Sequence, residues 1–153
     1  MSLRARFTQE TKDAMKAGEK RKLSTVRMIQ AAIKDKDIEA RGANRGEATD
    51  EEILALLQKM IKQRQESAHV FAENGREELA AQEREEAEII QGFLPRQLDE
   101  AETRAAIEAA IATTGASSMK DMGKVIGALR ADHAGRMDFA KASALVKEML
   151  PKG

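Results

Sequence analysis

With 153 residues and no cysteine, the chain has the length for one domain or two small ones with a real core, and disulfide frameworks and thiolate metal sites are excluded. Charged residues make up 34% and aromatics 3%, which favours helices packed with Leu, Ile, Ala and Met over a β-sandwich. The formal net charge is zero, which argues against a general nucleic-acid sponge.

That charge is unevenly placed. Residues 1–47 carry 12 Lys or Arg against 7 Asp or Glu, residues 48–100 carry 6 against 13, and residues 101–153 carry 8 against 6. Either end therefore has room for a local basic site, around an acidic middle. No signal peptide or apolar run of spanning length is present, so the expectation is a soluble, cytoplasmic protein that does not engage a membrane.

Helices are predicted throughout, an all-α chain. Ser2 can cap a first helix that Gly18 ends. A second runs from about Glu19 to Arg41, with Leu23, Val26, Ile29 and Ile33 inward. After the loop "GANRGEA", Thr49 and Glu52 make a capping box for a third helix, whose stripe is Ile53, Leu57, Met60, Ile61, Ala68 and Phe71. Asn74-Gly75 ends it, and an acidic fourth helix covers about 76–91, with Leu79, Ala87 and Ile90 as contacts. Gly92 and Pro95 then break the pattern in "QGFLPRQLDE", and Asp99 with Glu102 restarts it. Three shorter helices follow at about 100–114, 118–131 and 139–150, with Ser118 and Asp138 as N-caps and Gly115 and Gly135 as punctuation. The expected organisation is an antiparallel helical domain, residues 1–94, followed by a small three-helix domain, residues 95–153.

Groupings that carry chemistry are scarce. Histidine occurs only at His69 and His133, neither with a ligand-spaced partner, and both read as surface side chains. The carboxylate run "EREEAE" (83–88) reads as a solvated face, and no phosphate-binding Gly-x-x-x-x-Gly-Lys-Ser/Thr loop occurs. Ser67, Ser117 and Ser118 lack a histidine base within local reach. The sequence thus offers no catalytic residue, no metal set and no cofactor motif. Arg64 falls on the apolar stripe of the third helix, where a charge is costly unless paired. It is either tied to a carboxylate of the fourth helix, such as Glu83 or Glu86, or in contact with a partner; Arg27 carries the same two readings.

The last third poses the sharper question. In "DMGKVIGALRADHAGRMD" (121–138) the apolar spacing of a helix is interrupted by Gly123 and Gly127, one turn apart. Each costs about 1 kcal/mol relative to alanine. Their missing Cβ atoms let something approach the backbone closely, either another helix or a sugar-phosphate chain. Lys120, Lys124, Arg130, Arg136 and Lys147 could supply cations, and Ser117-Ser118 lies at a helix start, where anions bind well. Spacing alone leaves both alternatives open.

Taken together, "KLSTVRMIQAAIK" (22–34), "IKQRQESAHVFAENGREELAAQE" (61–83), "FLPRQL" (93–98), "TGASSMKDMGKVIGAL" (114–129), "GRMD" (135–138) and "SALVKEML" (143–150) resemble the YqeY family, in order and over nearly the whole chain. The last third is also similar to the tail domain of the GatB subunit of tRNA-dependent amidotransferase. That resemblance implies a two-part all-α fold divided near Pro95, and a link to tRNA, whose outer corner such tail modules hold. By the same likeness Gly123, Lys124, Gly127, Gly135 and Arg136 would face RNA. The chain departs from the family pattern before and after Gly135. "ADHA" (131–134) stands where lysine is frequent, and Met137 where alanine is common.

The leading expectation is a non-catalytic protein that binds tRNA, through shape and phosphate, or serves a tRNA-handling enzyme. Its RNA face would comprise Lys120, Gly123, Lys124, Gly127, Arg130, Gly135, Arg136 and Lys147. The alternatives are a helical protein–protein adaptor or self-associating protein, and a component of a glutamine-dependent carbon–nitrogen ligase. Nothing in residues 1–94 resembles the part of GatB that activates misacylated tRNA.

Overall fold

Local chemistry sets the helix ends. Ser2, Thr49 and Asp99 each accept a hydrogen bond from a backbone N–H in the turn that follows, satisfying donors that a helix start leaves bare. Thr49–Glu52 and Asp99–Glu102 are complete capping boxes. Gly18 and Gly115 end their helices in the left-handed region, at φ of 70° and 68°.

The computed structural model describes residues 2–151, and among them every regular element is helical. In chain order these are α1 (Leu3–Ala17), α2 (Lys20–Gly42), α3 (Asp50–Glu73), α4 (Glu77–Gln91) and α5 (Glu100–Thr114). A 3₁₀ turn (Met119–Asp121), α6 (Met122–His133) and α7 (Phe139–Met149) complete the chain. The last turn of α6 reaches past the predicted end at 131, so His133 is its final residue, half-buried. The chain divides into two compact units, with the boundary between Leu94 and Pro95.

In the first unit α1 lies along α2, and α3 pairs with α4 over most of its length. Phe7, Val26, Ile29, Ile53, Leu57 and Ile90 are almost completely buried at its centre. Phe93 closes this core, its ring 4.9 Å from that of Phe7. Arg6 lies over the outer face of Phe93 at 4.9 Å and donates to the Gly92 carbonyl at 2.7 Å. The segment after α4 therefore belongs to the first unit as far as these aromatic contacts reach.

A second staple holds the α2–α3 loop. Arg4 donates to both carboxylate oxygens of Asp37, at 2.9 and 2.7 Å, and to the Ala48 carbonyl at 3.0 Å. Asp37 in turn accepts from the Ala48 N–H. These donors, Arg4 first, hold the Asp37 carboxyl down to about 2.

Along the α3–α4 seam, Arg64 resolves its two readings in favour of internal pairing. Its Nε stands 3.4 Å from Glu86 Oε2, with side chains 15% and 11% exposed, and Nη1 donates to the Met60 carbonyl. Glu83 lies close by, and burial followed by the charge of Glu86 pushes its carboxyl up. The run 83–88 is therefore only partly a solvated face, since Glu86 is buried. Ala87 and Ile90 are buried on α4 as expected, but Leu79 is 38% exposed, and Ala80 and Glu86 are buried in addition.

The second unit packs α5, α6 and α7 around Ile107, Val125, Leu129 and Val146. Met137 is also buried in this core. The stretch before α5 is bound to the turn after α6. The Leu98 N–H donates to the Arg136 carbonyl at 2.8 Å, Gln97 Nε2 to the Gly135 carbonyl at 2.6 Å, and Arg136 Nε to the Arg96 carbonyl at 3.1 Å. Arg96 also donates twice to Glu102 and holds its carboxyl down to about 2.

Candidate nucleic-acid interface

The apolar positions of α6, among them Val125 and Leu129, turn inward, which leaves Gly123 and Gly127 facing out. Both are exposed, and a Cβ built on either would meet nothing within 4 Å. Packing against a helix of this chain is therefore not what these glycines serve. The backbone of α6 is bare over one turn, and the surface above it is open.

Cations stand around that strip. Lys120 and Lys124 are exposed, and Lys124 makes only a loose pair with Asp121, at 3.8 Å with the lysine side chain 71% exposed. Arg130 falls on the same face as the glycines, seven residues beyond Gly123, and lies over the Phe139 ring at 5.5 Å. That contact leaves the guanidinium exposed while fixing its place. Lys147 is exposed in the last turn of a different helix, α7.

Three expectations need correction. Gly135 is buried with φ of 74°, and its carbonyl is taken by Gln97. It makes a left-handed turn inside the unit and offers no bare backbone to a ligand. Arg136 is half-buried, with Nε committed to the Arg96 carbonyl, so it braces this turn. The Ser117-Ser118 start carries its own anion: Asp121 accepts from the Ser117 N–H at 3.0 Å, and Ser118 Oγ accepts from Lys120 N–H. The Ser117 bond is the main cause that holds the Asp121 carboxyl below its usual range.

His69 is exposed on α3, 2.9 Å from Glu73, and His133 Nδ1 is buried without a hydrogen-bond partner. Among the described residues no group of three or more His, Asp or Glu could hold a metal ion, and no helix is long and apolar enough to cross a membrane. Sequence reading missed the Gln97–Gly135 and Leu98–Arg136 bonds. A signal for them existed in the pairing of the polar "PRQL" stretch with a glycine turn, but the partner lies too far along the chain for local patterns to reveal.

The class defined by this geometry is an all-helical protein in two units, the second of which presents a bare helix face flanked by cations. The chain belongs to the YqeY-like protein family, whose model matches residues 4–150. Among curated proteins it is similar to "Altered inheritance of mitochondria protein 41, mitochondrial" from several fungi. The Vanderwaltozyma polyspora protein is 34% identical over 86 residues, which is 56% of this chain and 45% of the relative. The Eremothecium gossypii protein is 33% identical over 90 residues, 59% and 48% of the two chains. The Clavispora lusitaniae protein is 35% identical over 85 residues, 56% and 47%. The matches thus span about half the length of these relatives. Their names also overturn the cytoplasmic expectation, since they point to the mitochondrion. The lack of a long apolar run bears on whether a helix can cross a membrane and carries no information on compartment.

Proposed function

We propose that this protein is a non-catalytic tRNA-binding or tRNA-enzyme accessory protein whose contact with the RNA phosphate chain is the outer face of α6. The observation that carries the reading is the open backbone at Gly123 and Gly127, with Lys120, Lys124 and Arg130 exposed around it. Two features support it further: the likeness of residues 114–129 to the GatB tail, and the absence of any packing partner for the two glycines among the described residues. None of the four phenylalanines is exposed: Phe7 and Phe93 are buried, and Phe71 and Phe139 are half-buried. With no rings free to stack on bases, the RNA would be recognised through shape and phosphate, not sequence.

The test is a fluorescence titration with total tRNA at low and moderate salt. Binding is expected to weaken as salt rises, because each phosphate contact releases counterions. Lys120→Glu with Lys124→Glu should weaken it further and flatten the salt dependence, by a slope of about one for each lost phosphate contact. Arg136 is left intact because its Nε holds the Arg96 carbonyl. Equal binding by the wild type and the double variant would overturn the assignment of this face.

A further inference from the structure

The long second helix carries an outward face that the fold uses only at one margin, where the half-buried Met28 meets Arg64 of α3 through its sulfur at 3.6 Å. Lys20, Leu23, Ser24, Arg27, Met28 and Ala31 line a shallow trough of about 420 Å³ along it. The same face continues through Lys34 to Ile38, which is 56% exposed. Lys20, Arg27 and Lys34 are seven residues apart, so they recur every two turns, about 10.5 Å along the axis. All three are exposed, and none is ion-paired with a carboxylate of the described residues. Arg27 Nη2 reaches only the sulfur of Met15, at 3.8 Å, so of its two readings internal pairing fails. Cations of α2 beside this face behave differently: Lys22 pairs with Glu10 at 2.9 Å and Lys36 with Glu39 at 3.1 Å.

We propose that this face of α2 docks a partner helix that presents carboxylates at seven-residue spacing beside an apolar stripe. Charge complementarity selects the occupant. Three unpaired cations at heptad spacing match acidic flanks of a helix laid along α2, while Leu23, Met28, Ala31 and Ile38 receive its apolar residues. Asp35 is the one carboxylate on the face, which leaves the positive charge in excess. The apolar residues between the cations favour a protein partner over an RNA backbone, which would leave them unused. The proposal concerns the first unit and is independent of the α6 reading.

The experiment uses the full chain and a fluorescein-labelled synthetic peptide of three heptads, with Leu at the two apolar positions and Glu at the flanking ones. Glutamates at those flanks keep the peptide from pairing with itself. Wild type should bind it, more weakly at high salt. The triple variant Lys20→Glu, Arg27→Glu, Lys34→Glu should lose at least tenfold in affinity and prefer a peptide with Lys in place of Glu. An unchanged circular-dichroism melt of the triple variant would show that the loss is local. Equal affinity of the triple variant, or no preference of the wild type between the peptides, would overturn the proposal. So would release of the peptide by total tRNA, which would make the occupant RNA. A concentration-dependent dimer that the triple variant abolishes, seen by sedimentation, would make it a second copy and equally overturn it.

Discussion

Arg64 on the α3–α4 seam and the lysines around α6 show two uses of positive charge. At the seam the Arg64 side chain is 15% exposed, its Nε is ion-paired with Glu86 at 3.4 Å, and its Nη1 donates to the Met60 carbonyl. At the start of α6, Lys120 and Lys124 stand in solvent beside two glycines where an added Cβ would meet nothing within 4 Å among the described residues. Burial forces the first arrangement, since a charge taken out of water must find a counter-charge and hydrogen bonds. Nothing forces the second. Two glycines in a helix cost about 1 kcal/mol each, and the packing of this chain recovers none of it. The contrast separates charge that the fold needs from charge and bare backbone that it leaves available.

Breaking the seam should have the largest effect. Arg64→Ala leaves Glu86 buried without its partner and should cost about 3 kcal/mol, the low end for a buried pair because neither side chain is sealed. Urea unfolding followed by circular dichroism measures this, and a loss below about 1 kcal/mol would mean the pair contributes little beyond a surface one. Gly135→Ala comes next. It forces a side chain into a left-handed, buried turn and should cost about 1–2 kcal/mol. The same substitution at Gly123 or Gly127 should act in the opposite direction. Both sit in helical backbone under open space, so alanine there should add about 0.5–1 kcal/mol to stability, read as a raised melting temperature. A drop in stability at either would mean a packing role for these glycines.

Much of this was legible locally. Capping boxes at Thr49 and Asp99 involve residues three apart, so side chain and backbone N–H meet whatever the rest of the chain does. The cost of a charge on an apolar stripe left Arg64 two readings, an internal carboxylate or a partner, and Glu86 decides between them. Leu79 was misread because periodicity gives a face but not the neighbour that covers it; the small Ala80 makes the contact instead. Gly135 does punctuate the chain as expected, but its second reading as bare backbone shows a related limit. A glycine required by a left-handed turn and one left bare on a helix are the same letter, and only the φ of 74° and the Gln97 bond tell them apart. The compartment was not legible at all, since it is an address and not a packing property.

Acid titration sharpens the comparison within the first unit. Asp37, held to about 2 by Arg4 and the Ala48 N–H, contributes stability that is fully present above its unfolded value near 3.9. That contribution is lost as pH falls from about 4 towards 2. Asp37→Asn should lower stability at neutral pH and flatten the acid limb between those values, as followed by urea midpoints at several pH values. An acid limb identical to wild type would mean other carboxylates carry it, Glu102 of the second unit foremost.

The open strip of α6 is tested most directly by titrating tRNA into wild type and Gly127→Leu at low salt. The account predicts a folded variant, with a circular-dichroism melt at or above that of wild type, and tRNA binding weakened about tenfold, near 1.4 kcal/mol. A variant that melts lower, or one that binds tRNA as tightly as wild type, would contradict it.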